Sequence, residues 1–141
     1  MSGKFFAFAL TLPWLTSCGN HMQTEISEEI ARQFEASKNS PIHLATVGPL
    51  AWQCVLPPYS TNKATAETLG FEWDAEAETS IGVNDGINVL VFIKAEEVIA
   101  YTEHPRNQGD FSKLEPKCLD RENSTVVRQV NGSGWVYLAS S

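Results

Sequence analysis

The chain has 141 residues, of which 43% are hydrophobic and 10% aromatic, and its 17 acidic side chains outnumber the 10 basic ones. This length favours one domain, and the composition is too apolar for a disordered chain and too poor in glycine and proline for a fibrous one. The formal net charge of −7 argues against nucleic acid as a partner, because phosphate recognition needs a basic surface.

The first 17 residues are arranged like a secretory signal peptide. Lys4 supplies one positive charge, and an apolar run follows over residues 5–15. As a helix this run would be about 16 Å long, well short of the ~30 Å hydrocarbon core of a bilayer, so a stable transmembrane span is not expected. We therefore expect residues 1–17 to be a cleaved signal peptide.

The end of this segment, Leu15-Thr16-Ser17-Cys18, resembles the lipobox of bacterial lipoproteins. The resemblance implies lipidation of the Cys18 thiol, a lipidated tether over residues 18–24 and attachment to the membrane through acyl chains. Because Gly19 follows the cysteine where Asp would favour the inner membrane, it also implies the outer membrane, with the domain facing the periplasm. An incidental cysteine beside an ordinary cleavage site and an uncleaved anchor are the alternatives.

Cys54 and Cys118 are the two other cysteines of the chain. An even pair in an oxidising compartment predicts a disulfide, which would close a loop of about 65 residues and contribute roughly 4 kcal/mol. Two buried thiols, or a metal site with His43 or His104, are the alternatives. Neither cysteine has C-x-x-C spacing, which argues against a redox or zinc motif.

The first half of the domain predicts two helices and a strand. Apolar residues recur every four positions in residues 24–38, which indicates an amphipathic helix. Residues 50–56 alternate as a strand whose core face would carry Leu50, Trp52, Cys54 and Leu56. Ser60 or Thr61 is then expected to cap a short helix that ends at Leu69, with Gly70 as its left-handed terminator.

The second half predicts two hairpins. Residues 87–93 are almost all apolar and favour a central strand buried on both faces, with residues 98–102 as its antiparallel partner. Residues 104–117 read as a long polar connection, and a second hairpin turns at residues 131–134. The sequence thus predicts a single α+β domain over residues 25–141, in which an N-terminal helix and a short helix pack on an antiparallel sheet of about five strands.

Five short motifs lie in this domain: Trp52-x-Cys54, Pro58-Tyr59, Leu69-Gly70-Phe71, Asp85-Gly86 and Glu103-His104-Pro105-Arg106. Through them, the chain from Trp52 onward resembles small uncharacterised envelope proteins of proteobacteria. The resemblance covers most of the domain and implies no activity.

The candidate chemistry lies in the predicted connection and its approach. His104 is a candidate general acid or base, oriented by Glu103 or Asp110, and with Arg106 these side chains form a candidate loop for a ligand or partner. The alternative is an ion pair of Arg106 with Asp110 or Glu103 that only pins the loop. The sequence has no nucleophile motif such as G-x-S-x-G, which weakens the catalytic interpretation. No second histidine lies at metal-ligand spacing, and we expect no metal and no cofactor.

Six aromatic residues of the domain are expected to pack in its core, with a ligand pocket as the alternative. They are Trp52, Tyr59, Trp73, Tyr101, Trp135 and Tyr137.

These observations favour a non-enzymatic lipoprotein that binds or scaffolds another envelope component. A small periplasmic enzyme that uses His104 is one alternative. Cleavage after Ser17 would remove Lys4 and no acid, leaving 9 basic against 17 acidic residues and a formal charge of −8. A second alternative is therefore an inhibitor of a basic enzyme such as lysozyme, since opposite charge speeds encounter.

Overall fold

The computed structural model describes residues 22–141 and shows the predicted α+β class. Its helices are α1 (Thr24–Ala36), α2 (Asn62–Leu69) and α3 (Ala75–Glu78). The predicted signal peptide, the lipobox and Cys18 lie outside the described residues.

Helix α2 begins and ends at the predicted capping residues, Thr61 and Gly70. The Thr61 hydroxyl accepts a hydrogen bond from the Ala64 amide at 3.1 Å, and this satisfies a donor that the first turn cannot pair internally. Gly70 ends the helix with a φ of +84°, a left-handed conformation that favours glycine.

Seven strands of residues 22–141 form two antiparallel sheets, where the sequence predicted one sheet of about five strands. The strands are β1 (Ile42–His43), β2 (Trp52–Leu56), β3 (Ile87–Lys94), β4 (Glu97–Pro105), β5 (Cys118–Leu119), β6 (Thr125–Val130) and β7 (Val136–Ser140). The four-stranded sheet has the order β4-β3-β2-β5, and the three-stranded sheet has the order β1-β6-β7.

The four-stranded sheet lies between two hydrophobic clusters, one on each face. Leu90 and Phe92 of β3 join one cluster with α1 and the three-stranded sheet, whereas Val89 and Val91 join the other with α2 and α3. Successive side chains of a strand point to opposite faces, so a sheet covered on both sides needs apolar residues at every position. This confirms the prediction that β3 is buried on both faces.

Strand β2 departs from its predicted pattern. Cys54 and Leu56 are buried as expected, but Leu50 is 62% exposed and Trp52 is 51% exposed. Gln53 is buried instead, and its Nε2 donates to the Leu44 carbonyl at 2.9 Å. Leu50 precedes the strand, which begins at Trp52 and is buried only from Gln53 onward, so the alternating pattern overestimates burial at Leu50 and Trp52.

Strand β4 is longer than predicted and includes Glu103 and His104, which the sequence placed at or beyond the end of the strand. Asn88 pairs with His104 and Ile87 pairs with Pro105, so β4 continues until β3 has a partner along its whole length. Proline is tolerated at the end of an edge strand, because the missing N–H is not needed by a second neighbour.

Cys54 and Cys118 form the predicted disulfide and face each other directly across β2 and β5. The bond joins positions 64 residues apart and ties the two-residue strand β5 to the sheet. It therefore fixes an edge that two backbone pairings alone would hold weakly.

None of the helices in residues 22–141 has the length and apolar character needed to cross a membrane.

Candidate functional site

The four site residues of the predicted loop do not lie together in the structure. Glu103 lies on the face covered by α2 and α3, and His104 lies on the face covered by α1. Arg106 and Asp110 follow in the turn after the strand. The sequence put these side chains together in one loop, whereas the structure brings only the last two together.

His104 is fully buried, and both of its ring nitrogens have partners. Its Nε2 lies 2.9 Å from the Gln108 carbonyl, which can only accept, so Nε2 carries the proton. Its Nδ1 therefore accepts from the Ser27 hydroxyl at 2.8 Å. Burial lowers the pKa of His104, and the two hydrogen bonds offset only part of that effect.

This arrangement connects α1 to β4 and leaves neither ring nitrogen open to a substrate. The ring also contacts Phe111 edge-on, with 5.8 Å between the ring centroids. None of the four main clefts on residues 22–141 has His104 in its lining. The contacts of His104 are those of a packing residue.

Glu103 holds the segment that follows α3 against the sheet. Its Oε1 accepts from the backbone amide and from the hydroxyl of Ser80, both at 2.7 Å. The nearby Tyr101 hydroxyl donates to Glu78 Oε2 at 3.2 Å, and burial raises the pKa of that phenol with help from the neighbouring carboxylates. The Glu103 carboxylate therefore bonds to Ser80, 23 positions away, and not to the His104 ring, whose partners are Ser27 and Gln108.

Arg106 and Asp110 form the predicted ion pair. Nη2 and Nε of the guanidinium lie 2.9 and 3.1 Å from Asp110 Oδ2, and Nη1 donates to the Asp85 carbonyl at 2.8 Å. The guanidinium also lies over the Trp135 ring, 5.7 Å from its centroid. The pair fixes the turn after β4 against the β6–β7 hairpin.

The Asp110 carboxylate is saturated with donors. Ser112 donates to Oδ1 from its amide at 2.9 Å and from its hydroxyl at 2.6 Å, and Trp135 Nε1 donates to Oδ2 at 2.8 Å. Burial alone would raise the pKa of Asp110, but the bonds from Arg106, Ser112 and Trp135 outweigh it and lower the pKa. The carboxylate stays ionised and organises the loop.

Three further polar residues that the sequence did not predict, Ser27, Ser112 and Asn88, bond to the candidate residues or to their loop. Asn88 lies in β3, where its Oδ1 accepts from the Phe111 amide at 2.8 Å and its Nδ2 donates to the Ser112 hydroxyl at 3.0 Å. A polar residue inside the otherwise apolar run of residues 87–93 is the one local signal that could have pointed to it. Ser27 is 77 positions from His104 and carries no such signal.

The six aromatic residues do not share one environment. Tyr101 is buried, and its ring lies 5.2 Å from that of Trp73. Trp52, Tyr59 and Trp135 are 41–58% exposed, so the prediction of core packing is wrong for these three. They lie on different elements and do not line a common cleft.

The largest of the four main clefts on residues 22–141 lies between α2 and the segment that leads to α3, and we call its surroundings the acidic helical face (residues 62–79). Its volume is about 690 Å³, and its lining is Asn62, Lys63, Ala66, Glu67, Glu72, Trp73 and Asp74. Residues 62–79 carry five carboxylates against one lysine. The face therefore combines an open cleft, an aromatic ring and excess negative charge.

Charge is distributed unevenly over the rest of the chain as well. Residues 22–103 contain 13 acidic and 4 basic side chains, whereas residues 104–141 contain 4 acidic and 5 basic ones. Among the described residues, no group of three or more His, Cys, Asp or Glu side chains is placed to hold a metal ion.

No family model, curated protein or solved structure matches this chain.

Proposed function

We propose that this protein is a lipid-anchored component of the bacterial cell envelope whose folded domain is a non-enzymatic binding module. In this proposal Cys18 carries the lipid, the residues between Cys18 and Thr24 link it to α1, and the outer membrane holds the domain facing the periplasm. The Cys54–Cys118 disulfide supports an exported location, because disulfides persist in oxidising compartments.

The observation that carries the binding role is the contrast between two sets of polar groups. His104, Glu103 and Asp110 are engaged in hydrogen bonds that hold the fold together. Glu67 and Glu72 at the cleft of the acidic helical face are exposed and make no ion pair within residues 22–141. Groups suited to acid–base chemistry support the fold, and groups suited to docking remain open.

The charge of the acidic helical face supports a basic protein as the partner. Opposite charge accelerates encounter and makes binding sensitive to salt, and the Trp73 ring in the cleft offers a surface for a cationic side chain. An enzyme that attacks the envelope, such as lysozyme, is a basic partner of this kind.

Two binding experiments test the proposal. Crosslinking and pull-down from detergent-solubilised envelopes should enrich a basic partner with the lipidated protein. In parallel, lysozyme activity should be inhibited at low ionic strength and recover as salt is added, because screening weakens interactions between exposed charges.

The double variant Glu67→Gln/Glu72→Gln locates the surface. Both residues line the cleft without holding the backbone, so the variant should fold normally and weaken binding. Glu28→Gln/Glu35→Gln on α1 makes the same charge change on another exposed surface and should bind nearly as the parent does. Equal effects of the two variants would contradict docking at the acidic helical face, and no enriched partner in any condition would contradict the binding role itself.

A further inference from the structure

A second cleft differs in chemistry from the acidic helical face. It lies between the segment after α1 and the projecting end of the β6–β7 hairpin, and we call it the hairpin cleft. Its volume is about 370 Å³, within the range of small-ligand sites, and its lining is Lys38, Asn39, Ser40, Val127, Arg128, Val130 and Val136. No carboxylate belongs to this lining, although the chain as a whole is strongly acidic.

Both cations of the hairpin cleft lack an acidic partner. The ion pairs of residues 22–141 are those of Arg32, Arg106 and Lys117, so neither Lys38 nor Arg128 belongs to one. In a protein with excess carboxylates, two unneutralised cations in one cleft indicate an anion as the occupant.

Arg128 is held in place while its hydrogen-bonding capacity remains unused. Its guanidinium carbon lies 3.8 Å from the centroid of the Phe34 ring on α1, which fixes the group by stacking. Its Nε is buried and has no acceptor among the described residues. The guanidinium is thus positioned by stacking, and its terminal N–H groups can donate to a carboxylate in a fork geometry.

The rest of the lining is apolar. Val130 and Val136 are paired across β6 and β7, and Val130 is 63% exposed. β1 pairs with β6 only at Thr125 and Val126, so the hairpin extends beyond its neighbouring strand and leaves this aliphatic surface uncovered. The occupant should therefore bring an aliphatic group as well as a negative charge.

We propose that the hairpin cleft binds an aliphatic carboxylate, with the carboxylate between Arg128 and Lys38 and the aliphatic part on Val130 and Val136. The C-terminal end of a peptide and a free acylated amino acid share this chemistry. The proposal depends neither on the lipid anchor nor on the acidic helical face.

Titration of the full-length protein with N-acetyl-divaline tests it. The free acid should bind saturably and shift the backbone amide resonances of Ser40 and Val130, and the C-terminal amide of the same compound should not bind. N-acetylvaline as a second free acid, and a longer valine-terminated peptide, distinguish the two sources: equal affinity indicates a free acid, and tighter binding of the peptide indicates a peptide end.

Three variants locate the site. Arg128→Gln should weaken binding roughly 10- to 100-fold, since it removes charge-assisted hydrogen bonds, and Lys38→Gln should weaken it less. Arg128 also packs on Phe34, so Val130→Glu serves as the variant that keeps this contact; it places a negative charge on an exposed position and should abolish binding.

Matched substitutions outside the cleft are the controls. Val83→Glu changes another exposed valine, and Arg121→Gln another exposed arginine, and both should bind as the parent does. Equal binding of the acid and the amide, equal binding of inorganic phosphate, binding that survives Val130→Glu, or resonance shifts that grow with protein concentration in the absence of the probe would each overturn the proposal.

Discussion

At the residue scale, burial determines what His104 contributes. A neutral imidazole can accept from Ser27 and donate to Gln108 at once, whereas a protonated ring would present two donors and a charge to a dry environment. Folding therefore selects the neutral form, and the pKa of His104 is lowered. The chemical versatility that makes histidine a catalytic candidate is here what makes the fold sensitive to pH.

We expect the free energy of unfolding to fall as the pH drops below about 6.5, the ordinary pKa of histidine. Below that value the unfolded chain binds the proton and the folded chain does not, so the loss is at most about 1.4 kcal/mol per pH unit and stops at the lowered pKa. Urea unfolding at neutral and mildly acidic pH measures it. His104→Gln should flatten the dependence while the exposed His43→Gln keeps it, and an unchanged slope in His104→Gln would contradict the assignment.

Asp110 offers a second test at this scale. Asp110→Asn should lower the free energy of unfolding by about 1.5–3 kcal/mol, because the charged acceptor of Arg106, Ser112 and Trp135 is lost. Glu115→Gln is the control, since Glu115 is 76% exposed and lies 3.5 Å from Lys117, and it should cost less than about 1 kcal/mol. Denaturant midpoints compare the two, and similar values would show that Asp110 does not organise its loop.

At the element scale, a comparison of Gly48 with Gly70 distinguishes the cost of a left-handed backbone from the cost of a steric clash. Gly48 and Gly70 both have positive φ, at +71° and +84°. A Cβ on Gly48 would lie 2.8 Å from Cζ of the buried Phe92, whereas a Cβ on Gly70 would meet nothing within 4 Å. Both positions therefore require a left-handed backbone, and only Gly48 also lacks space for a side chain.

Gly70→Ala should cost about 1–2 kcal/mol from the left-handed backbone alone. Gly48→Ala should cost this amount and roughly 1–3 kcal/mol more, because Phe92 must move within a packed core. Gly132→Ala, at a position with open space and no positive φ, should be nearly neutral. Thermal unfolding ranks the stabilities of the three variants. A Gly48→Ala protein as stable as Gly70→Ala would show that the Phe92 ring can move aside without measurable cost.

The elements predicted correctly are those whose signals are local. The Thr61 cap, the Gly70 terminator, the apolar run of β3 and the turn at residues 131–134 each lie within a few residues of the structure they specify. Strands β1 and β5 have two residues each, and no periodicity can be read from so short a segment. Their existence depends on β6 and β2, which are distant in sequence.

In the candidate site too, the local contact was predictable from the sequence and the contacts between distant elements were not. Arg106 and Asp110 are four positions apart, and their ion pair was one of the two pairings that the sequence allowed. Whether Trp52 is buried and whether His104 is open depend on which elements cover the sheet, and local alternation contains no information on this. Burial of single residues was therefore the least predictable property.

At the scale of the whole molecule, the disulfide connects the edge of the four-stranded sheet to its centre. Reduction of the bond should lower the free energy of unfolding by about 4 kcal/mol, because the unfolded chain gains the freedom of a loop that joins positions 64 apart. Denaturant unfolding with and without a dithiol reductant measures this. A Cys54→Ala/Cys118→Ala protein should be insensitive to the reductant, and an equally stable reduced parent would contradict the stabilising role.

Charge is also separated across the molecule, between the acidic helical face and the hairpin cleft. Residues 22–103 carry most of the negative charge, and the hairpin cleft has cations without carboxylates. In the proposed anchored protein, these two surfaces would offer sites of different chemistry to partners at the membrane.

Mass spectrometry of the N-terminal peptide tests the proposed lipidation of Cys18. Cells expressing the protein are fed an alkyne fatty acid, and the N-terminal peptide is analysed by mass spectrometry. We predict labelled Cys18 as the first residue of the mature protein, no label in Cys18→Ser, which should keep residues 1–17, and full label in Cys54→Ser. An unlipidated Cys18 in the parent protein, or label that survives Cys18→Ser, would contradict the proposed anchor.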